Sequence, residues 1–171
     1  MENQIVQNSK NEVASIDEFR QRLQNFANVL NLSDPKEGVA KTPDGKAKTL
    51  PISFVEMQLD EMFTGLWSTE NFKWSVIANE VVGSIDLILI HPVTGREYKR
   101  TGAAAIQIMV NKGANPLDIN AKKGNALDMG FPKLKAECVK NAAISLGKIF
   151  GRDLNRTAAD NFNPFYKQTV N

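Results

Sequence analysis

From Met1 to about Leu50 the chain is polar and rich in Asn, Gln, Ser and Lys, broken by one segment with a clear hydrophobic period. There Ile16, Phe19, Leu23, Phe26, Val29 and Leu30 recur at spacings of three and four, which gathers them on one face of a helix. Ser15 or Asp17 can cap it, and the Ser33–Gly38 stretch SDPKEG ends it. A lone short helix is marginal in water, so the apolar face favours a docked helix over an isolated one. Lys36 to Leu50, punctuated by Gly and Pro and rich in Lys, reads as a linker or flexible loop.

A second helical spacing follows at Phe54, Val55, Leu59, Met62 and Phe63, with Gly65 closing it. Phe72, Trp74 and Val76 then alternate with Lys73 and Ser75, the period of a strand with one wet face. VGSIDLILI, residues 82–90, is apolar on both faces except at Asp86, which suits a central strand. The turn PVTGRE leads into EYKRTGAAA and makes a hairpin, so one helix is followed by three strands. Asn111–Gly130 is turn-rich, a long loop or a short helix between loops. Residues 133–150 return to a helical pattern, with Leu134, Cys138, Ala142, Leu146 and Ile149 on one side and Lys133, Lys140, Asn141 and Lys148 on the other. Gly151 is placed to cap this helix. The organisation expected is an N-terminal helix and linker over 1–50, a core domain over 51–156 and a tail over 157–171 carrying Phe162, Pro164, Phe165 and Tyr166.

With 171 residues, 42% of them hydrophobic and 23% charged, the chain has material for one ordinary core. Lys and Arg number 21 against 19 acidic residues, a net charge of +2, which excludes a uniformly basic nucleic-acid coat. Cys138 is the single cysteine and His91 the single histidine, so neither an internal disulfide nor a multi-histidine metal site is expected, and no cofactor. MENQIVQNSKNEVAS lacks a secretory pattern and no apolar run approaches a membrane span; the expectation is a soluble cytoplasmic protein. Phosphate-loop, dinucleotide, nucleophile-elbow and zinc-protease motifs are missing. His91, ahead of Pro92, reads as a solvent-exposed turn residue, and Cys138 as a small core residue. Asp86 inside an apolar strand needs a partner, and a structural hydrogen bond is favoured over catalysis.

Charge is distributed unevenly. Lys112–Arg156 holds nine basic residues against four acidic ones, a local excess of +5 that leaves −3 elsewhere. Such an excess is either an ordinary solvated surface or an anion-binding one. A second cluster, Arg96, Lys99 and Arg100 on the hairpin, tips the reading towards a polyanion, with phosphates the natural partner.

Three strings in order then carry a resemblance: LDEMFTGLWSTE; the hairpin with its TG turn, followed by Gly102 expected at the end of the third strand; and ECVKNAAISLGKIFGRDLNR. Over Phe54–Arg156 the chain resembles the Rad-fifty-two superfamily of single-strand annealing proteins, and its length suits a bacteriophage-type short form. The resemblance implies an α+β fold whose β-β-β-α core packs an antiparallel sheet on a long C-terminal helix and assembles into a ring or helical filament. It implies ATP-independent binding of single-stranded DNA and pairing of its complement in homologous recombination, without an active site. A single-strand-binding protein or exonuclease would be further partners. In the family, DNA runs between sheet and helix, with bases outward. Lys140 matches the family's main basic helix position, with Lys133 and Lys148 extending a phosphate track. Asn141, Ile144 and Phe54 stand where the family carries basic residues, so Lys99, Arg100, Arg152 and Arg156 are expected to share the contacts. Arg152 and Arg156 are equally placed to cap the helix. An oligomeric module that recruits a replication or nuclease protein is the alternative. Trp67 and Trp74 adjoin apolar strings, which favours core packing over base stacking. The N-terminal helix and Phe162, Phe165 and Tyr166 either contact a neighbouring subunit or cover their own domain.

Overall fold

A computed structural model of the chain describes residues 2–42 and 45–156; Phe162, Phe165 and Tyr166 lie outside them. Helix α1 spans Glu2–Leu30, starting well before the Ile16 at which the hydrophobic period begins. No Gly or Pro occurs in this stretch, so nothing in its backbone chemistry stops a helix; the period marks only the docking face. Leu30 is buried and Phe26 packs against the core, whereas Ile16 and Phe19 are 49% and 39% exposed. Helix α1 thus meets the domain through its C-terminal turns.

The expected linker is tied down. Ala40–Lys41 (β1) and Lys48–Thr49 (β2) pair antiparallel, and Leu50 is buried in the core. Asn155 brackets Lys48, accepting from its N–H at 2.7 Å and donating to its carbonyl at 2.8 Å. Helix α2, Ile52–Phe63, then buries Val55, Leu59 and Phe63, one turn apart. Gly65 does not close it alone: Thr64 (φ 53) and Gly65 (φ 71) are both left-handed, and both amides donate to the Asp60 carbonyl.

Trp67–Ile77 (β3), Glu80–Ile90 (β4) and Glu97–Gln107 (β5) form an antiparallel sheet in the order β3-β4-β5. The doubly apolar strand is central, as its pattern predicts. Val81, Ile85, Leu87 and Leu89 are buried on one face of β4; Ser84 and Asp86 alternate onto the other. Between the Glu70↔Asp86 and Lys73↔Ser84 pairs, β3 uses one residue more than β4. This is a bulge, with Asn71 left-handed at φ 52.

The turn-rich stretch that follows holds a single 3-10 turn, Ile119–Ala121, and a Val110↔Lys122 bridge. Helix α3 spans Ala126–Ile144, beginning before the expected Lys133 and carrying Pro132 in its second turn. It ends well short of Phe150. Gly147 passes the last turn of α1 so closely that a Cβ would meet the Leu30 carbonyl. The chain resumes as the 3-10 turn Lys148–Phe150, and left-handed Gly151 (φ 83) caps that turn instead of the long helix.

The fold is therefore α+β, with an antiparallel three-stranded sheet packed on α3. One core cluster joins α2, β4 and the end of α3 through Leu59, Phe63, Leu87, Leu89, Ala142 and Phe150. The other joins the opposite end of the sheet to α3 through Val81, Ile85, Leu134 and Cys138. Two glycines set the helix-to-sheet distance. A Cβ on Gly102 would collide with the Cys138 carbonyl and the Ala142 amide, and one on Gly83 would lie 2.6 Å from the Lys73 carbonyl and 3.0 Å from Leu134. Gly102 stands in mid-strand, not at the expected strand end. Cys138 is buried, and its thiol donates to the Gly83 carbonyl at 3.3 Å.

Gly102→Ala should destabilise the protein by about 3 kcal/mol or more, because backbone on both sides must move. Gly124→Ala, where a Cβ meets nothing within 4 Å, should change stability by no more than about 0.5 kcal/mol. Denaturant midpoints of the two variants check this.

Candidate nucleic-acid interface

The basic residues of α3 do not form one row. Lys133 is exposed near the helix start. Lys140 points into the structure, its side chain 11% exposed, its ammonium 2.6 Å from Glu137 and donating to Thr49 Oγ1 at 3.1 Å. Asn141 donates to the Ala103 carbonyl on β5 at 2.8 Å. Lys148 lies beyond the end of α3, where it and Arg156 flank the buried Asp153 carboxylate at 3.3 Å each. Asp153 is further fixed by its own N–H, which donates to Asp34 at 3.0 Å. These lysines largely answer carboxylates of their own chain.

Lys99 and Arg100 are neighbours in sequence, yet strand alternation sends them to opposite faces of β5. Lys99 joins Asp86 at 3.3 Å on the face away from α3. There Asp86 also accepts from Thr101 Oγ1 at 2.7 Å and from Asn71 Nδ2, supplied by the bulge, at 2.9 Å. Thr101 first, then Asn71 and Lys99, hold its carboxyl down to about 2. Asp86, part-buried in the sheet, has the structural partners expected of it, and its oxygens are occupied.

Arg100 faces the other way, into a groove of about 520 Å³ between the end of α1, the β4–β5 turn and the end of α3. Arg96, Arg100 and Arg152 line it together with Phe26, His91 and Tyr98. The Arg100 guanidinium stands over the Tyr98 ring at 5.2 Å. Arg152 donates to the Ile144 and Ser145 carbonyls and to Asn31 Oδ1. It thereby caps α3, ties it to α1 and still faces the groove. No described carboxylate forms an ion pair with any of the three arginines. Burial pushes the Tyr98 phenol up to about 12.

His91 has the structural turn role expected, but it is part-buried and not fully exposed. Its Nδ1 accepts from the Val93 and Thr94 amides at 3.1 and 3.3 Å. Its ring meets Phe26 at 4.8 Å, and burial lowers its pKa. The two tryptophans also part company. Trp67 is half-buried against the first core cluster and donates to Asp60 at 2.7 Å. Trp74 is 55% exposed, its ring 4.6 Å from Phe131. It lies towards the end of an edge strand, where Phe131 of α3 covers part of it.

The groove brings together Arg100 and Arg152 from the expected set, Arg96 from the hairpin cluster, and Phe26, whose periodicity marked only a docking face. Among the described residues, no group of three or more His, Cys, Asp or Glu is placed to hold a metal ion, and no helix is long and apolar enough to cross a membrane. No protein-family model matches the chain, and no curated protein matches it at a significant level.

Lys140→Met should lower stability by about 1–2 kcal/mol, since it removes a largely buried ion pair and a hydrogen bond while leaving Glu137 partly open to water. Thermal unfolding in the absence of DNA measures it. Asp86 titrates at about 2 in the folded chain against an ordinary 3.8, so the unfolded state binds the proton first. The stabilisation is complete above pH 3.8 and is lost as pH falls towards 2. Asp86→Asn should flatten the fall in denaturant midpoint across that window.

Proposed function

We propose that the chain binds single-stranded DNA and anneals complementary strands without ATP, as an oligomeric ring or filament in homologous recombination. The observation that carries this reading is the convergence of Arg96, Arg100 and Arg152, none in an ion pair with a described carboxylate, on one groove beside the end of α3. Three guanidinium groups along a groove form a phosphate-binding edge. The planar forks of Arg96 and Arg100 suit phosphate oxygens in pairs, and Arg152, whose nitrogens already donate within the chain, adds a charge that persists at any working pH. Annealing needs no bond chemistry, only relief of repulsion between two strands and bases free to pair.

A second reading is an oligomeric module that recruits a replication or nuclease protein. It draws on α1, where Ile16 and Phe19 continue the docked apolar stripe into solvent.

The test is annealing of two complementary labelled oligonucleotides without nucleotide or metal, with binding followed over a salt series. Faster annealing is expected. Arg100→Ala should weaken binding to all sequences alike and reduce the salt slope by about 0.7, the loss of one single-strand phosphate contact. Tight binding without annealing, or no binding at low salt, would favour the recruiting module.

A further inference from the structure

The groove has a wall that phosphate recognition does not require. Beside its three guanidinium groups the groove is lined by the rings of Phe26, His91 and Tyr98, neighbours inclined to one another by 63° and 53°. Phe26 and His91 are 4.8 Å apart between centroids, and His91 and Tyr98 are 6.1 Å apart. Each ring is held from behind. Phe26 and Tyr98 both pack edge-on against the buried Phe63, at 5.7 and 6.2 Å, and two turn amides fix His91 through Nδ1. The wall is therefore rigid, and Arg100 joins it directly by lying over Tyr98.

A rigid aromatic surface next to an arginine edge complements a ligand in which a flat ring is joined to an anion. At about 520 Å³ the groove also falls in the size range of small-ligand sites, roughly 300–1,000 Å³. A bare phosphate would leave the rings uncovered, and an acidic peptide would use the cations alone. We propose that the groove takes one nucleobase of the bound strand against the Phe26–His91–Tyr98 wall, with the adjoining phosphate on the arginines. The neighbouring bases stay outward for pairing. This rests on the annealing reading and adds to it a base-holding subsite.

The experiment compares a deoxythymidine oligonucleotide with a strand of the same length and charge made of abasic units, by fluorescence anisotropy at one salt concentration. The full chain should bind the base-bearing strand at least about fivefold more tightly, the lower end of one base–aromatic stack. Tyr98→Leu, checked for folding by thermal melting, should erase most of that difference and keep the salt slope. Ultraviolet crosslinking of an iodouracil-containing oligonucleotide to the unaltered chain should label Phe26, His91 or Tyr98. Equal affinity for both strands, discrimination that survives in Tyr98→Leu, or crosslinks confined to sites such as Trp74 would overturn the subsite and leave the annealing reading standing. Failure to bind either strand at low salt would overturn both.

Discussion

The close seating of α3 on the sheet at Gly102 and Gly83 governs the rest of the structure. Where a helix backbone touches a strand backbone, helix-side residues must be small or must lie beside the contact. Cys138 and Ala142 sit above Gly102, while Leu134 flanks Gly83. The contact fixes both the height and the direction of α3. It brings Asn141 to the Ala103 carbonyl and carries the C-terminal end of the helix towards the β4–β5 turn. A methyl group at Gly102 would lift the helix and pull apart both core clusters.

The same end of α3 is the meeting point of three separate segments. Gly147 lets the chain pass against Leu30, so α1 docks where α3 stops. Arg152 then binds the last carbonyls of α3 and Asn31 of α1. The hairpin turn closes the third side through His91 against Phe26. A groove with an arginine edge follows from this junction, because the residue that caps the helix is itself cationic. Stability and charge presentation are combined in Arg152.

Electrostatics separates the two kinds of basic residue. Three of the nine basic residues between Lys112 and Arg156 are paired with acids of the same segment: Lys140 with Glu137, and Lys148 and Arg156 with Asp153. On the hairpin, Lys99 is answered by Asp86. A paired ammonium is a poor phosphate contact, since binding must first break its own pair. Among the described residues Arg96 and Arg100 have no such competitor, and Arg152 spends its donors on neutral carbonyl and amide oxygens.

Hydrophobic period and turn chemistry by themselves determined the helix at Ile52–Phe63, the central strand through Asp86, the β4–β5 hairpin and the core face of α3 at Leu134, Cys138 and Ala142. These are local signals, each repeated over several residues. They also determined that Asp86 needs a partner, because a carboxylate in an apolar strand has no other stable state. Only the tertiary structure decided that α3 breaks after Ile144, since Gly147 is constrained by Leu30 more than a hundred positions away in sequence. It decided that Trp74 stays exposed, since nothing local says that a strand is an edge. It also decided which charges remain open: Lys140 stands out along the sequence as a basic helix position, but its pairing with Glu137 and Thr49 depends on where β2 docks. Charge can be counted along a chain, but whether a cation is free depends on what folding places within a few ångströms of it.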